Sequence, residues 1–317
     1  MRSREKTVPL SRINSDDNTF HITTKTCINS LVNSIQNVGL ITPPILLQKS
    51  SKFIIISGFR RIAACKQLGC QNILSRVVDS GIKRLECIKL AIADNSFQRQ
   101  LNLIEQSRSL YKLSTFYKDD IALGKEASAL GLPENPSFII KIKKIYHLPQ
   151  TIQNSLLSNN VSLDMVLELG RLEEDVSIKF ADLFLKLKLS LNKQMEILTM
   201  FKEIAFREDI SIFELLKESC FQGIVNNDDL DRNQKTQKIR SYLKQRRYPA
   251  LTKAEKEFKE HVSNLKLGAG AKLIPSNNFE SAVYTLCLQF KNLIELKERK
   301  AELDKIIKNP SMKKILR

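Results

Sequence analysis

The chain has 317 residues, 42% of them hydrophobic and 27% charged, which gives length for two or three domains and the composition of a folded protein, not a disordered one. With 51 Lys and Arg against 34 Asp and Glu the net charge is +17, which favours an anionic partner such as nucleic acid. No apolar run approaches the length of a membrane span, and Met1 to Lys6 lead into no apolar signal segment, so no membrane partner and a cytoplasmic location are expected. The six cysteines form no CxxC pair and the three histidines lie far apart, so neither a zinc site nor a disulfide framework is indicated.

Residues 1–93 read as alternating strands and helices. Val8, Leu10 and Ile13 suggest a short first strand, and Ile28, Leu31, Val32, Ile35 and Val38 recur at helical spacing until Gly39. Ile45 to Leu47 and Phe53 to Ile56, separated by the polar stretch Lys49–Lys52, read as a hairpin. Ser57-Gly58-Phe59-Arg60-Arg61 then marks a strand end, a glycine turn and a helix start. There the first-turn N–H groups and two guanidinium groups would face one way, an arrangement suited to phosphate. A strand over Ile73–Val78 and a helix over Ile82–Ala93 complete this part.

From Leu101 to Asn227 no strand is expected, and amphipathic segments follow one another. Lys125–Leu132, with its glycine turn at Gly131, and Ser137–Tyr146 have the layout of a helix-turn-helix. Its second helix carries Lys141, Lys143 and Lys144 as candidate DNA contacts. Charge concentrates after this region. Residues 232–317 hold 21 Lys and Arg against 8 Asp and Glu, and the other residues hold 30 against 26. The helix expected from Arg232 to Pro249 carries Arg240, Lys244, Arg246 and Arg247, further candidates for phosphate contact, and the acidic partners that would balance them are expected to be missing. A helix over Lys253–Leu265, a turn at Gly268–Gly270, a strand over Val283–Phe290 and a helix over Asn292–Lys308 close the chain. The fold class is therefore α+β, with domains expected over residues 1–100 (α/β), 101–230 (all-α) and 231–317 (basic, α/β or helical).

The segment Asp94-Asn95-Ser96-Phe97-Gln98-Arg99-Gln100-Leu101-Asn102-Leu103-Ile104-Glu105 offers oxygen ligands for a phosphate-bound Mg²⁺ at Asp94 and Asn95, and another guanidinium at Arg99. Read alone it is equally a helix-capping junction. Together with Ser57–Ala64 in the same order, it resembles the ParB partition protein family, whose motifs usually read Gly-Glu-Arg-Arg-x-x-Ala and Glu-Asn-x-x-Arg-x-x-Leu-x-x-x-Glu. The resemblance covers roughly residues 8–170. It implies a ParB/sulfiredoxin-like N-terminal domain, a helix-turn-helix domain, a homodimer, a role in plasmid or chromosome partition beside a Walker-type ATPase, and in many members a CTP-dependent clamp on DNA. By match, Gly58, Arg60, Arg61, Asn95 and Arg99 would hold the nucleotide, and Asp94 and Asn95 would hold Mg²⁺.

The chain departs from the family at four places, one of them the turn of the helix-turn-helix, which Pro133-Glu134-Asn135-Pro136 lengthens. Phe59 stands where a glutamate associated with hydrolysis is usual, and a phenyl ring can neither accept a proton nor orient water. Asp94 replaces a glutamate. The segment Asn18–Thr23 contains none of the arginine found there in the family. Two other readings stay open. One is a nucleotide-dependent enzyme of the same superfamily, a small kinase or a nuclease, with Asp94 or Glu105 as base; sulfiredoxin chemistry would want a cysteine where Ser57 and Phe59 stand. The other is a non-catalytic interaction protein.

Overall fold

The computed structural model describes residues 3–316, and contacts divide the chain into two units, Met1–Leu185 and Lys186–Arg317. The boundary falls inside a helix. In the first unit, strands β1 (Ser3–Pro9), β2 (Ile13–Asn14), β3 (Ile45–Lys49), β4 (Lys52–Ser57) and β5 (Asn72–Val78) form one sheet in the order β1-β5-β3-β4-β2. The β1/β5 and β3/β4 pairs are antiparallel; β3/β5 and β2/β4 are parallel. The expected hairpin is β3–β4. Lys49 faces Lys52 across a tight turn in which Ser50 takes a left-handed conformation (φ 51°).

Helices α1 (Asn29–Val38), α2 (Phe59–Gln67) and α3 (Arg84–Ser96) accompany the sheet. Gly39, at φ 81°, ends α1 where the sequence placed its stop. The core is built from the inward positions of the strands, with Val8, Leu46, Phe53, Ile55, Ile73 and Val77 packed against Ile62 and Cys65 of α2. Fully burying each such aliphatic side chain contributes roughly 1.5–3 kcal/mol. Phe59 is partly buried against this cluster.

The rest of the first unit is helical: α4 (Leu103–Ser114), α5 (Asp120–Ala129), α6 (Pro136–Lys143), α7 (Gln150–Leu157), α8 (Leu163–Leu169) and α9 (Glu174–Leu187), which runs across the boundary. The α5–α6 pair is the expected helix-turn-helix, though α5 begins at Asp120, five residues before the expected start. Asp119 accounts for this, because its carboxylate accepts from the N–H groups of Ile121 and Ala122. Gly131 (φ 72°) makes the turn, and Asn135 caps α6 with Pro136 in its first turn. Gly124 in α5 lets the helices close, since a Cβ there would collide with the Glu134 carbonyl oxygen.

The second unit contains α10 (Leu191–Glu208), α11 (Ile212–Lys217), α12 (Ser219–Val225), α13 (Arg232–Arg247), α14 (Pro249–Leu265), the two-stranded antiparallel sheet β6 (Ala271–Ile274) and β7 (Thr285–Leu288), α15 (Leu293–Lys308) and α16 (Pro310–Ile315). Three features differ from the sequence reading. Pro249 does more than stop α13, because it occupies the first turn of α14, where a missing N–H costs nothing. The strand β6 follows directly on Gly270 (φ 92°), and the short α12 separates α11 from α13. Leu265, Leu273, Ile306 and Ile315 form a small core with Phe258 and Leu286 around it, so the C-terminal end is α/β.

Candidate nucleotide site and nucleic-acid face

β4 delivers Ser57 to the end of the sheet, and Gly58 turns the chain into α2 with φ 95°, a conformation few side chains adopt. Only glycine also fits the space, since a Cβ there would stand 2.7 Å from Pro44 Cβ. No side chain caps α2, so the N–H groups of its first turn stay available to an anion. Around this turn lies a cavity of about 360 Å³. Its walls come mainly from three stretches, Phe20 to Thr23 with Lys25, Ile56 to Arg61, and Asp94, Asn95, Gln98 and Arg99 at and just past the end of α3, with Leu31 of α1 and Thr42 completing them. All six residues expected at the nucleotide and metal sites, Gly58, Arg60, Arg61, Asp94, Asn95 and Arg99, line this one cavity.

Their hydrogen bonds differ sharply. Arg61 donates to the carbonyls of Thr42 (2.9 Å) and Pro43 (3.2 Å) and to Asp94 (3.0 Å). Asp94 also accepts from the Ser57 hydroxyl and from Gln98 (3.2 Å). Arg99 is held bidentately by Glu105, at 2.6 and 2.7 Å. Arg60 donates once, to the Cys27 carbonyl at 2.7 Å, and its Nε is buried without an acceptor. Asn95 donates to the Ala91 carbonyl (2.8 Å), which leaves its side-chain oxygen free of that bond. Among the described residues no three His, Cys, Asp or Glu side chains converge, so a divalent ion here would depend on phosphate oxygens and water for most of its ligands.

The sequence reading missed what holds the first wall. Glu105 is fully buried and accepts from the Thr24 N–H (2.9 Å), the Thr24 hydroxyl (3.2 Å) and the Asn102 N–H (3.2 Å) as well as from Arg99. Burial would raise its pKa, but the Arg99 and backbone hydrogen bonds outweigh burial and hold it below the usual carboxylate range. Arg108 donates to the carbonyls of Ile22 (3.4 Å) and Thr23 (3.1 Å), and Lys112 to that of Thr19 (2.7 Å). Both cations stand on α4 and hold the backbone of the segment that lacks the family's arginine, and neither lines the cavity. His21 packs against Phe59, ring centroids 4.5 Å apart, and burial, with the Arg108 and Lys112 charges, pushes its pKa down. Only the capping pattern Asn102-x-x-Glu105 hinted at this wall from sequence.

On α6, Ile139 and Ile142 are buried, and Ser137, Ile140, Lys141 and Lys144 are exposed at helical spacing along one face. Lys143 lies off this face and pairs with Asp120 of α5 at 2.5 Å. Lys141 makes only an exposed 3.5 Å pair with Asp164. In the second unit, the expectation that the basic helix lacks acidic partners is overturned. Arg240 pairs with Glu196 (2.9 Å), Lys244 with Glu255 (2.7 Å), Arg247 with Glu203 (2.9 Å), and Arg246 with Glu208 (2.5 Å) and Glu218. Most of these carboxylates come from α10 and the α11–α12 junction, distant in sequence but packed on α13. The hydrogen bonds that Arg246 donates to Glu208 and Glu218 raise its pKa far above its ordinary value.

Residues 2–96 match the ParB N-terminal domain. The probable chromosome-partitioning protein ParB of Campylobacter jejuni is 38% identical over 91 residues, covering 29% of this chain and 32% of that protein. The probable chromosome-partitioning protein ParB of Rickettsia bellii is 31% identical over 137 residues, covering 43% and 44%. The nucleoid occlusion protein of Shouchella clausii is 27% identical over 135 residues, covering 43% and 46%. The chain therefore spans between a third and a half of the length of these relatives. Most of the cavity lining lies within the matched region, with Gln98 and Arg99 just beyond it, and residues 2–96 are those that are similar to the ParB N-terminal domain.

Proposed function

We propose that this chain is a ParB-type DNA-binding protein, acting in plasmid or chromosome partition or a related organisation of DNA, and that CTP binding switches it. The observation that carries this reading is the single cavity that gathers the glycine turn, Arg60, Arg61, Asp94 and Asn95 of the segment similar to the ParB N-terminal domain with Arg99 just beyond it. The donor set suits a nucleoside triphosphate: uncapped N–H groups at the start of α2, a buried guanidinium Nε without an acceptor, and apolar walls at Phe20, Ile22 and Leu31 for the remainder of the ligand. A Mg²⁺ carried with the phosphates would take the Asn95 oxygen and Asp94 and would neutralise phosphate charge when bound.

Phe59 opens α2 and packs with His21 and the sheet core, so no carboxylate is present at that position to orient water. The nucleotide then acts by occupancy, and turnover is slow or absent. Calorimetric titration with CTP, ATP and GTP in Mg²⁺, with and without DNA, tests the reading. CTP-selective binding coupled to DNA is the expected result, and phosphate release without DNA would favour the enzymatic alternative. DNA contact is assigned to the exposed face of α6, with Lys141 and Lys144, and to basic surface of the C-terminal segment. A homodimer and a partition ATPase belong to the same proposal, as does association with the nucleoid or a plasmid.

A further inference from the structure

Four cationic side chains line the nucleotide cavity: Lys25, Arg60, Arg61 and Arg99. Two of them are each already held by three hydrogen bonds to protein, an ion pair among them. Arg61 spends its guanidinium on two loop carbonyls and Asp94, and Arg99 spends its own on Glu105 and the Gln100 carbonyl. Withdrawing either would break a charged pair, in Arg99's case one whose carboxylate has no access to water. The uncommitted charge is elsewhere. Arg60 has a buried Nε without an acceptor, and Lys25 is exposed at the cavity with no acceptor among the described residues. Lys25 is not loosely attached, since its neighbour Thr24 is pinned through backbone and hydroxyl to Glu105.

We infer that Lys25 and Arg60 are the cations that meet the ligand's phosphate chain, and that Arg61 and Arg99 are struts fixing the walls of the cavity. The inference rests on the reading of the cavity as a nucleotide site and departs from the assignment by motif, in which the Arg60–Arg61 pair and Arg99 share the phosphates. An ammonium on a flexible stem reaches a phosphate as a point charge, and Lys25 stands on the same wall that lacks the family's arginine.

The test titrates the full chain with CTP, CMP and inorganic triphosphate in Mg²⁺, comparing the unaltered protein with Lys25→Met and, as a surface control, Lys49→Met on the β3–β4 turn. Lys25→Met should weaken CTP and triphosphate binding about tenfold and CMP binding about twofold or less, and Lys49→Met should change none of them. Equal triphosphate and CTP affinities in Lys25→Met and the unaltered chain overturn the assignment. If the unaltered chain takes triphosphate in a Lys25-dependent way but binds neither nucleotide, the charge assignment stands and the nucleotide reading falls; binding of none of the three overturns both. Arg99→Lys should lower the unfolding midpoint, and a loss of CTP-over-CMP selectivity in it as large as in Lys25→Met overturns the strut role.

Discussion

Replacing Arg99 by alanine leaves the Glu105 carboxylate, fully buried at the base of the pocket wall, with two backbone N–H donors and one hydroxyl but no bonded cation. Breaking one side of such a pair costs about 3–5 kcal/mol, a large part of the 5–15 kcal/mol that holds a typical domain folded. Glu105→Gln should cost less, because the amide keeps an acceptor for Thr24, and it separates charge from shape. The depressed Glu105 pKa also fixes a pH signature. Its stabilisation is present above the unfolded value near 4.5 and is lost as pH falls through the lower folded value. Urea unfolding of the first-unit signal from pH 7 to pH 3 therefore should show a slope below pH 4.5 that Glu105→Gln reduces. An Arg99→Ala cost below about 1 kcal/mol, within the range of exposed pairs, would refute the argument that this ion pair holds the wall.

Gly124→Ala should destabilise the first unit by about 1–3 kcal/mol in the same urea assay, because the new methyl meets the Glu134 carbonyl oxygen in the tight α5–α6 junction. His21, whose pKa burial and two nearby cations depress, favours its neutral form in the folded chain, so stability should decline as pH falls below the unfolded value of 6.5. A His21→Gln variant followed by thermal melts from pH 7.5 to 5.5 should lose that decline, and an unchanged decline would place its origin elsewhere. Arg246→Ala, by contrast, should lower the unfolding midpoint of the second unit, since it leaves Glu208 with Arg207 alone and Glu218 with only the Tyr242 hydroxyl.

The glycine turn of the pocket was legible because three local signals coincide there: an apolar strand, a glycine and a helical period starting with two arginines. The end of α3 was legible as a candidate through its residue types, and the structure places both on one cavity. The opposite wall was not legible. Residues 18–25 have no regular secondary structure and no period, and they are held by Glu105, Arg108 and Lys112 from more than 80 residues away. Nothing local in Phe20–Lys25 announces a partner at that distance. The Arg99–Glu105 pair shows the same limit from the other side, since a motif arginine six residues from a capping glutamate reads equally as ligand or strut until the carboxylate is seen to be buried.

Charge counting met a related limit, with a consequence for where DNA would dock. The surplus of residues 232–317 is real, yet residues 186–231 of the same unit supply 6 basic and 9 acidic side chains, and several of those acids are spent on α13. A guanidinium already bonded to a carboxylate must give up that bond to neutralise a phosphate, so its net contribution to counterion release is small. On α6, Lys141 and Lys144 face solvent with at most one weak pair between them, and each should contribute about one unit of salt dependence. The Lys141→Ala, Lys144→Ala double variant should therefore lower the slope of log K against log salt by about 2. Arg240→Ala should leave the slope nearly unchanged; the reverse ranking in salt titrations of DNA binding would move the interface to α13.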